Sequence, residues 1–131
     1  MEVRRIEDIF RRWGVRLAYL FGSVAEGRAD SQSDVDVGVV LPEPCDGKAA
    51  LSQVAHMQQD LRPFFDRKLD LVVLNLAGPL LAHEVIRRGQ VLYSHDESER
   101  MRYEVRIRDT YEDYRHIQSF FIRALKEQLA S

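Results

Sequence analysis

Residues 20–41 read LFGSVAEGRADSQSDVDVGVVL, and how this stretch folds decides the rest of the chain. Gly22 and Gly27 stand five apart, the glycine spacing of a P-loop. A P-loop next requires a lysine and a hydroxyl residue, but Arg28 and Ala29 occupy those places and alanine cannot ligate a metal. The spacing also fails the dinucleotide-binding pattern. What remains is a turn after a strand, followed by two aspartates around one valine. DVDVGVVL, residues 34–41, alternates and is valine-rich, so it reads as a strand. On a strand, residues two apart share a face. Asp34 and Asp36 therefore project together, while Val35, Val37, Val39 and Leu41 face a core. Two carboxylates about 4 Å apart repel by roughly 4 kcal/mol at an effective dielectric of 20. A solvent-facing edge strand is the bland explanation for such a pair.

Working outward, Ile6, Ile9, Phe10 and Trp13 recur at helical spacing before Gly14. VRLAYLF, residues 15–21, is a short apolar strand. The polar link over residues 23–33 is too short for an ordinary parallel crossover, so the strands it joins need not be parallel neighbours. Ala49 to Phe65 reads as a helix with Leu51, Val54, Met57 or Gln58, and Leu61 on one face. KLDLVVLN, residues 68–75, is a third strand that puts Asp70 on one face and Leu69, Leu71 and Val73 on the other. Pro79 suits the first position of a helix ended by Gly89, and QVLYS, residues 90–94, is a fourth strand. Residues 96–129 contain no glycine or proline. Tyr103, Ile107, Tyr111, Tyr114, Ile117, Phe121 and Leu125 step by three or four, the signature of one long helix, and this stripe is expected to pack on the sheet. Phe120 and Phe121 cannot both face one way, which leaves one of them for a partner interface. The expected fold is α+β: a small mixed sheet with flanking helices and a long C-terminal helix. Residues 1–131 are expected to form one domain, with 96–130 as its helical extension.

Composition narrows the function. The net charge of −2 argues against a nucleic-acid binder, which needs a basic surface. Cys45 is the only cysteine, so neither an intrachain disulfide nor a cysteine-rich metal site is available. The charged, amphipathic N-terminus lacks a signal-peptide pattern and no apolar run reaches membrane-spanning length, so a cytoplasmic protein is expected. His56, His83, His95 and His116 lack metal-site spacing. If the Asp70 strand lies beside the Asp34–Asp36 strand, three carboxylates meet on one patch. Hard oxygen ligands of this kind suit Mg²⁺ or Mn²⁺, and two such ions serve phosphoryl or nucleotidyl transfer.

Gly22-Ser23, ten residues, Asp34-Val35-Asp36, and Asp70 in a later strand together resemble the signature of the polymerase β-type nucleotidyltransferases. With its short length and Tyr-rich last helix, the chain resembles the minimal nucleotidyltransferases (MNT), in particular the antitoxins of HEPN/MNT toxin–antitoxin pairs. The resemblance implies that Gly22 and Ser23 hold the nucleotide's terminal phosphates and that Asp34 and Asp36 hold two Mg²⁺ ions. It also implies that Asp70 is the third ligand and helps deprotonate the acceptor. The implied activity is transfer of AMP from ATP to a tyrosine of a partner HEPN ribonuclease toxin, without direct nucleic-acid or membrane binding. Many relatives read G-S-x-A-R-G, whereas Glu26 fills the arginine position here; Arg28 is the candidate replacement near the phosphates. Two other readings stand beside this one: an antitoxin acting by contact alone, and a small-molecule nucleotidyltransferase of the aminoglycoside type.

Overall fold

The computed structural model describes residues 2–130. Its element order is α1 (Val3–Arg12), β1 (Leu17–Phe21), the short α2 (Gly22–Ala25), β2 (Val35–Val40), α3 (Gly47–Leu61), β3 (Leu69–Val73), α4 (Pro79–Arg88), β4 (Gln90–Ser94) and α5 (Glu97–Ala130). Short 3₁₀ turns follow α3 and β3. The four strands form one sheet in the order β3-β2-β1-β4, with β1 antiparallel to both neighbours and β2 parallel to β3. This is the expected mixed sheet with flanking helices and a long last helix.

Each face of the sheet has its own core. Val35, Val37, Val39, Leu69, Leu71 and Val73 pack with Ile6, Ile9 and Phe10 of α1 and with Val54, Met57 and Leu61 of α3. Trp13 links these two helices: its indole N–H donates to Asp60 at 2.9 Å and its carbonyl accepts from Gln53 at 2.7 Å. On the other face, Leu17, Tyr19, Val40 and Leu74 pack with Val85 of α4 and Tyr103 of α5. Here the valine-rich strand carries a gap, Gly38, which Leu74 fills: a Cβ at position 38 would stand 3.0 Å from that side chain.

Two expectations need correction. The buried face of α3 runs through Ala50, Val54, Met57 and Leu61, while Leu51 is 63% exposed. Ala50 takes the buried position instead, where hydrophobicity alone favours its larger neighbour. The α5 stripe packs only at its start. Tyr103 is buried and Ile107 half-buried, whereas Ile117, Phe120, Phe121, Leu125 and Leu129 are all exposed. The helix outruns the sheet: 34 residues span about 51 Å at 1.5 Å per residue.

The first turns of α5 are firmly tied. Asp96 accepts the N–H groups of Ser98 and Glu99 at 2.8 and 3.2 Å, an N-cap that holds its carboxyl below the usual range. Arg16, just before β1, donates to both oxygens of Glu99, at 2.8 Å through Nε and more closely through Nη2. The Tyr19 hydroxyl donates to Glu104 at 3.0 Å. Burial pushes the Tyr103 phenol up to about 12, and its hydroxyl has no hydrogen-bond partner among the described residues.

Candidate active site

The register of the sheet brings the chemistry together. Phe21, the last residue of β1, lies opposite Asp36 on antiparallel β2, and Asp36 lies opposite Asp70 on parallel β3. The end of β1 and the starts of β2 and β3 therefore share one edge of the molecule. Gly22 follows Phe21 directly and Asp34 precedes β2 directly. Asp36 and Asp70 occupy the face that also holds Gly38, Val72 and Val40, so the aspartates form a ledge where that face's apolar packing stops. Asp34 and Asp36 are half-buried and Asp70 is exposed.

Gly22 is required here twice over. Its φ is +80°, a region that side chains with a Cβ rarely adopt, and a Cβ there would stand 2.3 Å from Oδ2 of Asp36. The turn into α2 thus presses against the aspartate carboxylate. Backbone bonds close the turn: the Glu26 N–H donates to the Gly22 carbonyl at 3.1 Å and the Arg28 N–H to the Ser23 carbonyl at 2.9 Å.

Burial, then the charges of Asp70 and Asp34, raise the Asp36 carboxyl above the usual carboxylate range. Among the described residues no arginine, lysine or histidine pairs with any of the three, and none accepts a hydrogen bond. The carboxylates share a ledge without closing on one point: among the described residues no three acidic, histidine or cysteine side chains are gathered tightly enough to hold an ion as they stand. Unpaired carboxylates, a raised Asp36 and a glycine-lined approach form a donor set of hard oxygens that fits a divalent cation such as Mg²⁺. The ledge is open. A cavity of about 770 Å³ lies at the opposite end of the sheet around Arg16, Leu41 and the start of α4, away from the aspartates.

The other sequence candidates fall less centrally. Arg28 is engaged by Glu26, Nη2 to Oε2 at 3.0 Å, and projects into solvent. His83 stacks on Tyr111, ring centroids 3.6 Å apart, and joins α4 to α5 rather than entering the ledge. Sequence reasoning missed Asp30 and Arg67, which shape the loop before Asp34. Asp30 accepts from the Gln32 N–H at 2.8 Å and from the Ser33 hydroxyl at 3.2 Å. Arg67 donates to the carbonyls of Asp30 and of Ser33, the latter at 3.1 Å. The Asp-Ser-Gln-Ser run was a readable signal for the turn; Arg67, 34 positions beyond Ser33, had no local signal.

The chain is 29% identical over 87 residues to the protein adenylyltransferase MntA of Shewanella oneidensis, a match that covers 66% of this chain and 60% of that relative's length. Its fold is similar to that of a chain in a toxin–antitoxin crystal structure with AMP-PNP, with a TM-score of 0.73 and 23% identity over 96% of this chain and 99% of the other. It is also similar to a chain of the complex between tri-AMPylated Shewanella oneidensis HEPN toxin and MNT antitoxin, with a TM-score of 0.66 and 21% identity over 95% of each chain. The model of the family described as polymerase beta, nucleotidyltransferase matches residues 4–98, from α1 through all four strands into the first turn of α5, and the chain belongs to that family.

Proposed function

We propose that this chain is a minimal nucleotidyltransferase that acts as an antitoxin, moving AMP from ATP to a tyrosine hydroxyl of a HEPN-type ribonuclease toxin. The observation that carries this reading is the pairing of Asp36 with Asp70 across parallel strands, unneutralised, beside the Gly22 turn. Asp34, Asp36 and Asp70 are the residues that would hold Mg²⁺, and the bound cations would supply charge neutralisation on the phosphates and acceptor oxygen. Gly22 and Ser23 offer backbone N–H groups and a hydroxyl to the terminal phosphates, while Arg28 stands one turn away. Asp70, exposed on the edge strand, would receive the proton of an acceptor hydroxyl approaching from solvent. An open ledge suits a tyrosine presented by another protein better than an enclosed pocket would. No helix among the described residues is long and apolar enough to cross a membrane, and we place the reaction in the cytoplasm.

The exposed stripe on the second half of α5 supports a protein partner. Ile117, Phe120, Phe121 and Leu125 form an apolar patch of the kind that marks interaction surfaces. The test is the intact mass of the candidate toxin after incubation with this protein, ATP and Mg²⁺. Growth by one or more AMP units that is lost with Asp34→Ala/Asp36→Ala is the expected result. A stable complex with no mass change would replace this reading with an antitoxin that acts by contact.

A further inference from the structure

Glu26 ends the α2 turn, and two guanidinium groups converge on its carboxylate. Arg28 lies 3.0 Å from Oε2, and Arg88, the last residue of α4, lies 3.5 Å from Oε1. Arg88 arrives from 62 positions away, and its place is fixed by close packing. Gly89, the next residue, lets α4 end directly against β1: a Cβ there would stand 2.8 Å from the Leu20 carbonyl oxygen and 2.4 Å from that of Val85. Leu20 is two residues before Gly22. Gln90 then donates from Nε2 to the Ala25 carbonyl at 3.0 Å, so the segment after Arg88 is fastened to α2 as well. Three consecutive residues of the α4–β4 junction thus clasp the turn that carries Gly22 and Ser23. Arg88 also pairs with Glu84 at 3.3 Å, a neighbour on its own helix.

We propose that Arg88, with Arg28, is a triphosphate-binding residue of this chain, and that Glu26 is the internal anion that holds both guanidiniums beside the Gly22–Ser23 turn until a polyphosphate displaces it. This inference rests on the nucleotidyl-transfer reading and adds Arg88 to it. The chemistry is that of guanidinium meeting phosphate, which forms charge-assisted and often bidentate hydrogen bonds. A carboxylate carries one negative charge and a triphosphate several, so the exchange favours the nucleotide. Glu26 costs affinity in that exchange but keeps two mutually repelling arginines together when no nucleotide is bound.

The experiment measures binding of ATP and of AMP, each with Mg²⁺, to the full chain by calorimetry. Arg88→Gln is expected to weaken ATP about tenfold, with AMP unchanged, because only ATP carries the β- and γ-phosphates. Arg88→Lys is expected to recover part of the loss. Glu26→Gln is expected to tighten ATP by about threefold by freeing both arginines. Equal weakening of ATP and AMP by Arg88→Gln, together with a lower melting temperature, would reduce Arg88 to a structural clasp and overturn the inference. Unchanged ATP affinity in that variant would overturn it too, leaving the nucleotidyltransferase reading intact. Absence of ATP binding by the unsubstituted protein would overturn both.

Discussion

The two halves of α5 carry the same pattern and meet opposite fates. Tyr103, Ile107 and Tyr111 in the first half share a helical face with Tyr114, Ile117, Phe121 and Leu125 in the second. The first half is covered. Tyr103 sits in the core against Leu17, Tyr19 and Val85, Tyr111 stacks on His83, and Arg16 and Tyr19 bond to Glu99 and Glu104. The second half is not packed on the sheet: Phe120 and Phe121 are 65% and 66% exposed and meet each other edge to face. Periodicity records which face of a helix is apolar; it does not record what covers that face. A four-stranded sheet of five- and six-residue strands is far shorter than a 34-residue helix. The stripe must therefore outlast its support.

That contrast can be broken by substitution. Tyr103→Ala removes a buried aromatic ring and is expected to cost on the order of 3 kcal/mol of stability, measured by urea unfolding. A loss below about 0.5 kcal/mol there would mean that the first half of α5 is as loosely held as the second. Gly22→Ala forces a Cβ into a positive-φ turn and onto the Asp36 carboxylate. It is expected to cost about 2 kcal/mol and to abolish nucleotide binding, read by unfolding and calorimetry.

Asp36→Asn works in the other direction. Burial and the neighbouring carboxylates raise the Asp36 carboxyl, so the folded state holds this proton more tightly than the unfolded chain. The ionised group then costs stability at every pH above its folded value, and the cost disappears as pH falls below the unfolded value of about 3.9. Without Mg²⁺, the asparagine variant is expected to melt above the unsubstituted protein at pH 7, with the gap narrowing in acid. Added Mg²⁺ is expected to stabilise the unsubstituted protein selectively. A variant that melts lower at pH 7 would show that the three carboxylates do not strain the ledge.

The smallest expected effect belongs to the far end of α5. Phe121→Ser is expected to change stability by less than about 0.5 kcal/mol, while weakening association with the proposed HEPN-type partner in a pull-down or by calorimetry. Destabilisation equal to that of Tyr103→Ala would erase the distinction between the two halves.

Much of this protein was legible in its residues. Val35, Val37 and Val39 alternate with Asp36 and Gly38, and that period of two set both the strand and the face of the carboxylate. Pro79 and Gly89 bounded α4, and Asp96 marked the start of α5. The aspartates stood out because aspartate is a poor strand former and two on one strand face repel each other. Composition helped less on α3, where Leu51 was the more hydrophobic choice and Ala50 the buried one.

By itself, the sequence determined the four strands, the main helices and the strand face that Asp34, Asp36 and Asp70 share, because these follow from periods of two and 3.6 and from turn residues acting over a few positions. Tertiary structure alone decided that β3 lies parallel to β2 with Asp70 opposite Asp36, that Arg67 braces the loop before Asp34, and that Arg88 reaches Glu26. It alone decided where the sheet stops supporting α5. Those outcomes depend on strand order, register and the length of one element against another. These are settled by packing between segments far apart in the chain, and no local pattern encodes them.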